Sequence, residues 1–549
     1  MDWAGRLAPY PSDTVRQYRA SGLWGTRTVA TELHEVAVRR APHPAVVAAE
    51  GSLSYAELDK ATDRLALGLS NAGLAPGDRV VVQLTNRLES IVAWYGMLKA
   101  GLIPVCTLAA HRAHEIGPIS RKVGAVAHLV EWSPSGFDLV AFAVEQQVDH
   151  PTMRLVLTAG APAGAPGTSI ERLADTDPAL ARERVEAIQA AIDPDDIVCF
   201  QLSGGTTGVP KVIPRLHAEY WYNARSYAEA GGWDESTRVA HLIPIIHNAG
   251  ITCGLHATHS VGGTLVLGTP VLDQALPVVA RERTTDVLIG HGHFGIVDHP
   301  LFEEAMTAMK RVVLSGAKVP ARVFEAFESR GVWVGQKFGM GEGFFTMSTA
   351  ASTREARLTT VGVPVSPYDE FRVLEPGTET EVPDGAVGEL ACRGPYTIRG
   401  YFDAPGINSS AFTSDGFYRT GDLVAVRTVG GERSISVEGR LKDLINRGGE
   451  KVSAEEVETL LMRHPRIVAA AVVAMPDERL GERACAYLVT AGEPLTMSEV
   501  QNHLSSLSLA KFKWPERLEW IPELPRTPLG KLDKKLLQRD ITAKVTTGR

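Results

Sequence analysis

The chain is predicted to fold as an α/β protein: a large N-terminal domain with mainly parallel sheets flanked by helices, then a small mobile α+β C-terminal domain. Three observations predict this. Short β-rich apolar runs alternate with amphipathic helical stretches through most of the 549 residues, the pattern of strands joined by crossover helices. The length suffices for two or more domains with large cores. The charge balance also changes late: from residue 440 onward there are 18 Lys and Arg against 15 Asp and Glu, net +3, and before it 38 against 49. A boundary at Gly439-Arg440-Leu441-Lys442-Asp443 fits this change, with a large domain over 1–439 and a small domain over 443–549 on either side of 440–442. Charge counting alone is equally compatible with one continuous domain with a basic edge.

The elements follow from local pattern. Residues 79–84, Arg-Val-Val-Val-Gln-Leu, predict a strand and 89–100 the helix after it. Residues 197–200, Ile-Val-Cys-Phe, predict a buried strand. A strand over 312–314 ends at Ser315-Gly316-Ala317-Lys318 and is followed by a helix over 321–329; a strand over 332–334 precedes Gly339-Met340-Gly341-Glu342-Gly343. In the tail, a helix over 454–463, a strand over 467–475 and a helix over 497–507 form a unit of their own. Ligands on such sheets sit where strands end and loops begin.

Composition narrows the function. A net charge of −8 gives no basic character for nucleic acid. Five cysteines (Cys106, Cys199, Cys253, Cys392, Cys485) lack Cys-x-x-Cys spacing, which argues against a zinc site and a disulfide scaffold and suits a reducing compartment. The first residues lack an apolar signal core, and no apolar run approaches the ~20 residues that span a bilayer. A cytoplasmic protein with neither nucleic-acid nor membrane partner is expected.

The most informative stretch is Gln201-Leu202-Ser203-Gly204-Gly205-Thr206-Thr207-Gly208-Val209-Pro210-Lys211. Glycines let the backbone turn its N–H groups inward, and hydroxyls and a lysine stand among them, so the loop suits a polyanion. It is not a Walker loop, because Pro210 precedes the lysine and Val212 follows it. A flexible surface turn is the plain alternative. Glu342, among small residues, suits a Mg²⁺ ion bridging phosphate oxygens; taken alone it reads better as an acid at a helix N-terminus. Tyr418-Arg419-Thr420-Gly421-Asp422 suggests a strand-end turn whose Asp422 accepts ribose hydroxyls, against an Asx turn. Arg440 could donate to the same ribose. Lys531 stands at the tip of Pro525-Arg526-Thr527-Pro528-Leu529-Gly530-Lys531, where a mobile domain could carry a cation into a site and withdraw it; a solvated surface lysine is the ordinary reading.

Taken together and in this order, Ser203 to Lys211, Gly339-Met340-Gly341-Glu342, Tyr418 to Asp422, Gly439 to Asp443 and Pro528-Leu529-Gly530-Lys531 resemble the motifs of the adenylate-forming enzymes: acyl-CoA synthetases, nonribosomal peptide synthetase adenylation domains and luciferases. The resemblance covers nearly the whole chain. Within the family it is strongest to free-standing aryl acid–AMP ligases of the 2,3-dihydroxybenzoate and salicylate type, through 201–215, Arg393-Gly394-Pro395-Tyr396-Thr397-Ile398-Arg399-Gly400-Tyr401, Ile445-Asn446-Arg447-Gly448-Gly449-Glu450-Lys451-Val452 and the pair His247-Asn248.

The resemblance implies activation of an ortho-substituted aryl carboxylic acid with ATP and Mg²⁺ to aryl-AMP and pyrophosphate. It then implies transfer to the phosphopantetheine thiol of an aryl carrier protein or peptidyl carrier domain. By it, Ser203, Gly204, Gly205, Thr206, Thr207, Gly208 and Lys211 hold the pyrophosphate, and Gly316, Ala317, Lys337, Phe338, Gly339 and Met340 line the nucleotide. Glu342 holds the metal, Asp422 and Arg440 the ribose, and Lys531 acts in the first half-reaction. His247, Asn248, Ala249, Cys253, Gly316 and Gly341 form the acid pocket, with His247 on the carboxylate side. Lys442 is the hinge and Arg447, Gly448 and Gly449 the pantetheine tunnel. Oligomeric state is left open, a dimer among the options.

The chain also departs from that pattern. Ala249 stands where dihydroxybenzoate ligases have an aromatic ring, Cys253 where they have a serine, Gly341 where they have alanine. Gly290-His291-Gly292-His293 replaces a Pro-Pro pair. These changes predict a wider, less hydroxylic pocket suited to a hydroxybenzoate or hydroxyanthranilate, with His291 and His293 more naturally satisfied loop residues than substrate contacts. Two alternatives stand beside this reading: an aryl-CoA ligase using free coenzyme A, and a non-catalytic acyl or nucleotide sensor.

Overall fold

The computed structural model describes residues 3–547 apart from 4, 134–135, 204–209, 317–318, 448–449, 478–479, 508, 510 and 528–530. The chain divides into two compact units: Met1–Glu370 with Cys392–Tyr418, and Phe371–Ala391 with Arg419–Arg549.

The first unit is built on two mainly parallel sheets. One runs Thr168–Ser169, Leu155–Ala159, Ala127–Glu131, Arg79–Gln83, Ile103–Cys106, Ile197–Leu202, Val212–Leu216. Its last pair, Ile197–Leu202 with Val212–Leu216, is antiparallel, so the segment between them returns beside its own start. The other runs Val363–Pro364, Phe344–Met347, Trp333–Met340, Arg311–Ser315, Asp286–Gly290, Arg238–His241, Thr264–Leu267, Pro44–Ala48, Gly51–Ser54. Central strands are continuous apolar runs because both faces are covered: Val80, Val81 and Val82 are fully buried. Helices start where sequence supplies caps. Ser54 accepts from the Glu57 N–H while the Glu57 carboxylate accepts from the Ser54 N–H, opening the helix Tyr55–Asn71. That helix holds Asp59 and Asp63 against the buried Lys99 of the helix Leu88–Lys99, at 2.5 and 2.6 Å.

Two sheets make up most of the second unit. Glu370–Leu374, Val387–Arg393, Tyr418–Val429 and Glu432–Arg440 form one; Glu450–Ser453, Leu444–Arg447, Gly481–Thr490 and Ile467–Asp477 form the other, with Arg517–Trp520 joining Gly481–Thr490 in parallel. Helices Ala454–Leu461 and Met497–Ser506 pack Val457, Leu461, Val500 and Leu504 into the core beside the second sheet.

The elements expected from sequence form where expected: strands Arg79–Gln83, Ile197–Leu202, Arg311–Ser315 and Ile467–Asp477, and helices Leu88–Lys99, Ala321–Glu328, Ala454–Leu461 and Met497–Ser506. Two local readings are corrected. The strand expected over 332–334 runs Trp333–Met340, so Gly339 and Met340 are strand residues rather than loop, and Glu342 lies in a hairpin turn rather than at a helix N-terminus. Glycine keeps 339 in the ladder: a Cβ there would lie 2.5 Å from the Phe345 ring and 2.7 Å from Lys337 Nζ. Asp422 was expected in a strand-end turn. It lies instead within Tyr418–Val429, directly opposite Arg440, because the register break after Leu423 and the positive φ of Gly421 let the strand continue through it. Among the described residues no helix is long and apolar enough to cross a membrane.

Candidate functional site

The Gly-rich stretch begins and ends on paired backbone. The Ser203 N–H donates to the Lys211 carbonyl, and the Lys211 N–H donates to Ser203 Oγ, both at 3.0 Å. Strand pairing flanks the stretch on either side; Gly204, Gly205, Thr206, Thr207 and Gly208 lie outside the described residues. Lys211 leaves that closure with its ammonium 4.5 Å from the Tyr401 ring centroid. The Tyr401 hydroxyl donates to Glu342 Oε1 at 2.7 Å and lies 2.8 Å from the Tyr418 hydroxyl. Burial raises the pKa of both tyrosines, and Glu342 adds to it, so they stay neutral donors. One aromatic ring therefore separates a cation from a carboxylate, groups of the kind that could hold a polyanion and its metal. Glu342 Oε2 has no hydrogen-bond partner among the described residues. A single carboxylate with one oxygen available fits Mg²⁺, which takes one or two carboxylates and leaves its other positions to phosphate and water.

Arg215 fixes this geometry. Fully buried, it donates to both Glu219 oxygens at 2.9 and 2.6 Å, to the Gly341 carbonyl at 2.6 Å and to the Tyr396 carbonyl at 3.1 Å. Burial alone would lower its pKa; the Glu219 carboxylate more than offsets that and raises it. Glu219 Oε1 also accepts the Leu216 N–H at 2.8 Å, capping the helix His217–Ala230. The turn that aims Glu342 thus hangs from a buried guanidinium. Gly343 is obligatory there: its φ is +92° and a Cβ would lie 1.7 Å from the Tyr396 carbonyl oxygen.

The Tyr396 hydroxyl donates to Asp369 Oδ2, while Asp369 Oδ1 is buried with no partner among the described residues. Burial raises the Asp369 pKa well above the usual carboxylate range. A raised folded-state pKa means that the stability contribution is full below the unfolded-state pKa and is lost as pH rises through the folded-state value. Asp369→Asn is therefore expected to raise the melting temperature more at pH 8 than at pH 5. An equal change at both pH values in calorimetry would refute a protonated Asp369.

Of the residues expected on the acid side, His247, Asn248, Ala249 and Cys253 follow Arg238–His241, whereas Gly316 follows Arg311–Ser315 and Gly341 follows Trp333–Met340. Gln201 Nε2 donates to the Tyr220 hydroxyl at 3.2 Å, so the hydroxyl proton goes to Asn248 Oδ1, 3.0 Å away. This fixes the amide: the Asn248 oxygen is used, and Nδ2 is a donor with no partner among the described residues. His247 is exposed and its Nδ1 accepts the Ala249 N–H at 3.3 Å, which makes the other ring nitrogen the donor of the neutral imidazole. Gly250–His256 is a π-helix, a form frequent at functional sites, and it buries Cys253 beside the Lys337 ammonium. Gly316 has φ +95° and lies against His291: a Cβ would be 2.9 Å from Nδ1. His293 Nε2 meets the Pro270 carbonyl at 3.1 Å, as a satisfied loop histidine does. Gly341 abuts Ile213, with only 3.0 Å for a Cβ. Phe338 and Met340 lie half-buried on Trp333–Met340; Ala317 lies outside the described residues.

In the second unit, Asp422 Oδ1 pairs with Arg440 Nε at 3.0 Å. The Thr527 N–H donates to the Lys531 carbonyl at 2.7 Å and Arg526 bridges Leu532, so Lys531 closes a tight loop; 528–530 lie outside the described residues. Lys531 keeps exposed surface, yet lost hydration lowers its pKa and the Arg440 charge lowers it further, with Asp422 opposing. Lys442 lies in the 3-10 turn Leu441–Asp443, lowered by lost hydration and then by Arg440. Arg447 is bidentate on Glu516, at 2.8 and 3.2 Å; Gly448 and Gly449 lie outside the described residues.

The structure therefore joins Lys211 to Glu342 through Tyr401, Asn248 to Gln201 through Tyr220, and Asp422 to Arg440 and Lys531 by charge. Sequence reading missed Tyr220, Tyr401 and Arg215 as the parts that connect them, although all three lie in or beside the quoted motifs.

The sequence matches the AMP-binding enzyme family over residues 33–402 and the AMP-binding enzyme C-terminal domain over 456–531. It is 38% identical to the salicylyl-CoA synthase / salicylate adenylyltransferase of a Streptomyces species, covering 97% of each chain. It is 36% identical to the salicyl-AMP ligase / salicyl-S-ArCP synthetase of Mycobacterium tuberculosis, covering 99% of this chain and 97% of that one. Its fold matches the apo structure of Mycobacterium smegmatis MbtA with a TM-score of 0.73 at 36% identity, over 97% of this chain and 98% of that chain.

Proposed function

Because this chain belongs to the AMP-binding enzyme family of adenylate-forming enzymes, we propose that it activates an ortho-substituted aromatic carboxylic acid with ATP, releasing pyrophosphate, and passes the aryl group to the phosphopantetheine thiol of a carrier protein. One observation carries the choice of acid. The hydrogen-bond chain from Gln201 through Tyr220 leaves Asn248 Nδ2 as an oriented donor, one residue from His247. A donor fixed in that way suits a ring oxygen ortho to a carboxylate.

The chemistry asks for positioning and charge stabilisation rather than covalent help. The carboxylate oxygen attacks the α-phosphorus in line; the new C–O–P bond forms as the bond to the bridging oxygen breaks, and pyrophosphate takes the electron pair. Lys211 and the backbone of the loop after Ser203 neutralise that leaving group. Glu342 would hold Mg²⁺, which would supply further neutralisation of phosphate charge. Asp422 and Arg440 take the ribose, and Lys531 bridges the acid and phosphate oxygens. Rotation about 440–442 would then withdraw Lys531 and present Arg447 to the thiol arm. A cytoplasmic setting belongs to this reading, and five buried free thiols suit it. So does a place in siderophore or antibiotic assembly.

A second reading is favoured by one observation: a relative named for both salicylyl-CoA synthesis and adenylylation. Free coenzyme A would then be the acceptor. Incubating enzyme, ATP and acid with equal concentrations of coenzyme A and a holo aryl carrier protein separates the two. Turnover of coenzyme A matching that of the carrier rejects the carrier reading.

Asn248→Ala is expected to lower kcat/KM about tenfold or more for 2-hydroxybenzoate and to leave benzoate within about threefold, since a lost donor matters only to the acid that uses it. Pyrophosphate exchange with both acids reads this directly. A parallel fall would make Asn248 a support of the segment rather than a reader of the ring.

A further inference from the structure

Lys337 is 5% exposed on the strand Trp333–Met340. Its ammonium lies 3.8 Å from the Phe345 ring centroid and 5.7 Å from that of Tyr227. It also neighbours the Cys253 thiol, whose pKa burial raises and Lys337 lowers. Among the described residues no carboxylate pairs with it. Lys99 shows how this protein buries a lysine for structure: it has Asp59 at 2.5 Å and Asp63 at 2.6 Å. Stripping an ammonium of water without an anion is costly, and two rings and a thiol offset only part of that. The charge at 337 is placed for a partner that none of the described residues supplies.

The helix His217–Ala230 sets where that partner would sit. Tyr220, which donates to Asn248, and Tyr227, whose ring lies by the Lys337 ammonium, are seven residues apart on one face of this helix, about 10 Å along its axis. The segment carrying Asn248 repeats the sense of this offset, with Cys253 five residues on. An aromatic ring with a hydrogen bond of about 2.9 Å at either end spans such a gap. Sequence had assigned Lys337 to the nucleotide; its side chain instead meets Cys253, a residue assigned to the acid.

We propose that Lys337 is a specificity-determining residue that receives an anionic or strongly accepting oxygen on the aromatic ring, at the end remote from the ortho group read by Asn248. The inference rests on the aryl-acid activation proposed above. The substrate class is then a hydroxylated aromatic acid with a second acceptor oxygen, such as a ring carboxylate or carbonyl.

The test compares 2-hydroxybenzoate with 2-hydroxybenzoates bearing a carboxylate or an acetyl group meta or para to the reacting carboxylate. Pyrophosphate exchange is measured with wild type, Lys337→Met and Lys337→Arg, and binding of each acid without ATP by tryptophan fluorescence. Wild type is expected to favour an acceptor-bearing acid by at least about tenfold in kcat/KM. Lys337→Met should abolish or reverse that preference, mainly through KM. Lys337→Arg should keep part of the preference. Equal use of both classes by wild type, or a parallel fall of both in Lys337→Met, overturns the assignment. Exchange with no aromatic acid at all would instead overturn the aryl-acid reading beneath it. Fluorescence titration keeps the test open should a variant bind without turning over.

Discussion

Lys531→Ala is expected to stop adenylate formation, with a loss of about 10²–10³ in rate, while thioester formation from preformed aryl-AMP stays within a few-fold of wild type. The reason is electrostatic. In the proposed reaction one ammonium serves two oxygens whose charge changes only in the first half-reaction, so its removal costs nothing once the adenylate exists. Pyrophosphate exchange reads the first step and thioester formation from supplied aryl-AMP the second. Equal losses in both would make Lys531 a structural residue. The surroundings add a pH signature. Lost hydration first, and Arg440 second, hold the Lys531 pKa below the ordinary lysine value. The ammonium is the working form, so first-step activity should fall as pH rises through that lowered value, earlier than an unperturbed lysine would give. Lys531→Arg, which stays charged, should lose this alkaline limb.

Arg215→Met is expected to destabilise the first unit by roughly 3–5 kcal/mol, because Glu219 would be left as an unpaired buried charge. The Gly341 and Tyr396 carbonyls lose their donor in the same change, so the turn carrying Glu342 should loosen and the KM for MgATP should rise. Calorimetry should show the unfolding transition of this unit several degrees lower. Arg215→Met combined with Glu219→Leu removes both charges and should recover part of the stability without recovering the KM for MgATP. A single variant that melts within a degree of wild type and binds MgATP normally would refute the role assigned to Arg215.

The sequence by itself determined the α/β class, the main elements and the family. Each rests on local information: strand and helix periods at Arg79–Gln83 and Leu88–Lys99, glycine and hydroxyl chemistry from Ser203 to Lys211, and motif order along the chain. Residue type and neighbours also picked out Glu342, Asp422 and Lys531, and the resemblance picked out Asn248. Which of those groups meet, and with what protonation, depends on residues far apart in the chain. Tyr401 lies 59 residues from the Glu342 it donates to and Tyr220 28 from Asn248; no local pattern encodes such pairs. Asp422 was misplaced in a turn because its strand partner, Arg440, lies across a hairpin that propensity does not register. Lys337 is the sharpest case. In sequence it is a polar residue before a glycine motif, and only packing of one strand against the helix His217–Ala230 and the π-helix Gly250–His256 buries its charge with no anion paired to it among the described residues. Burial is a property of the whole fold, and it is burial that turns an ordinary lysine into a group requiring a partner.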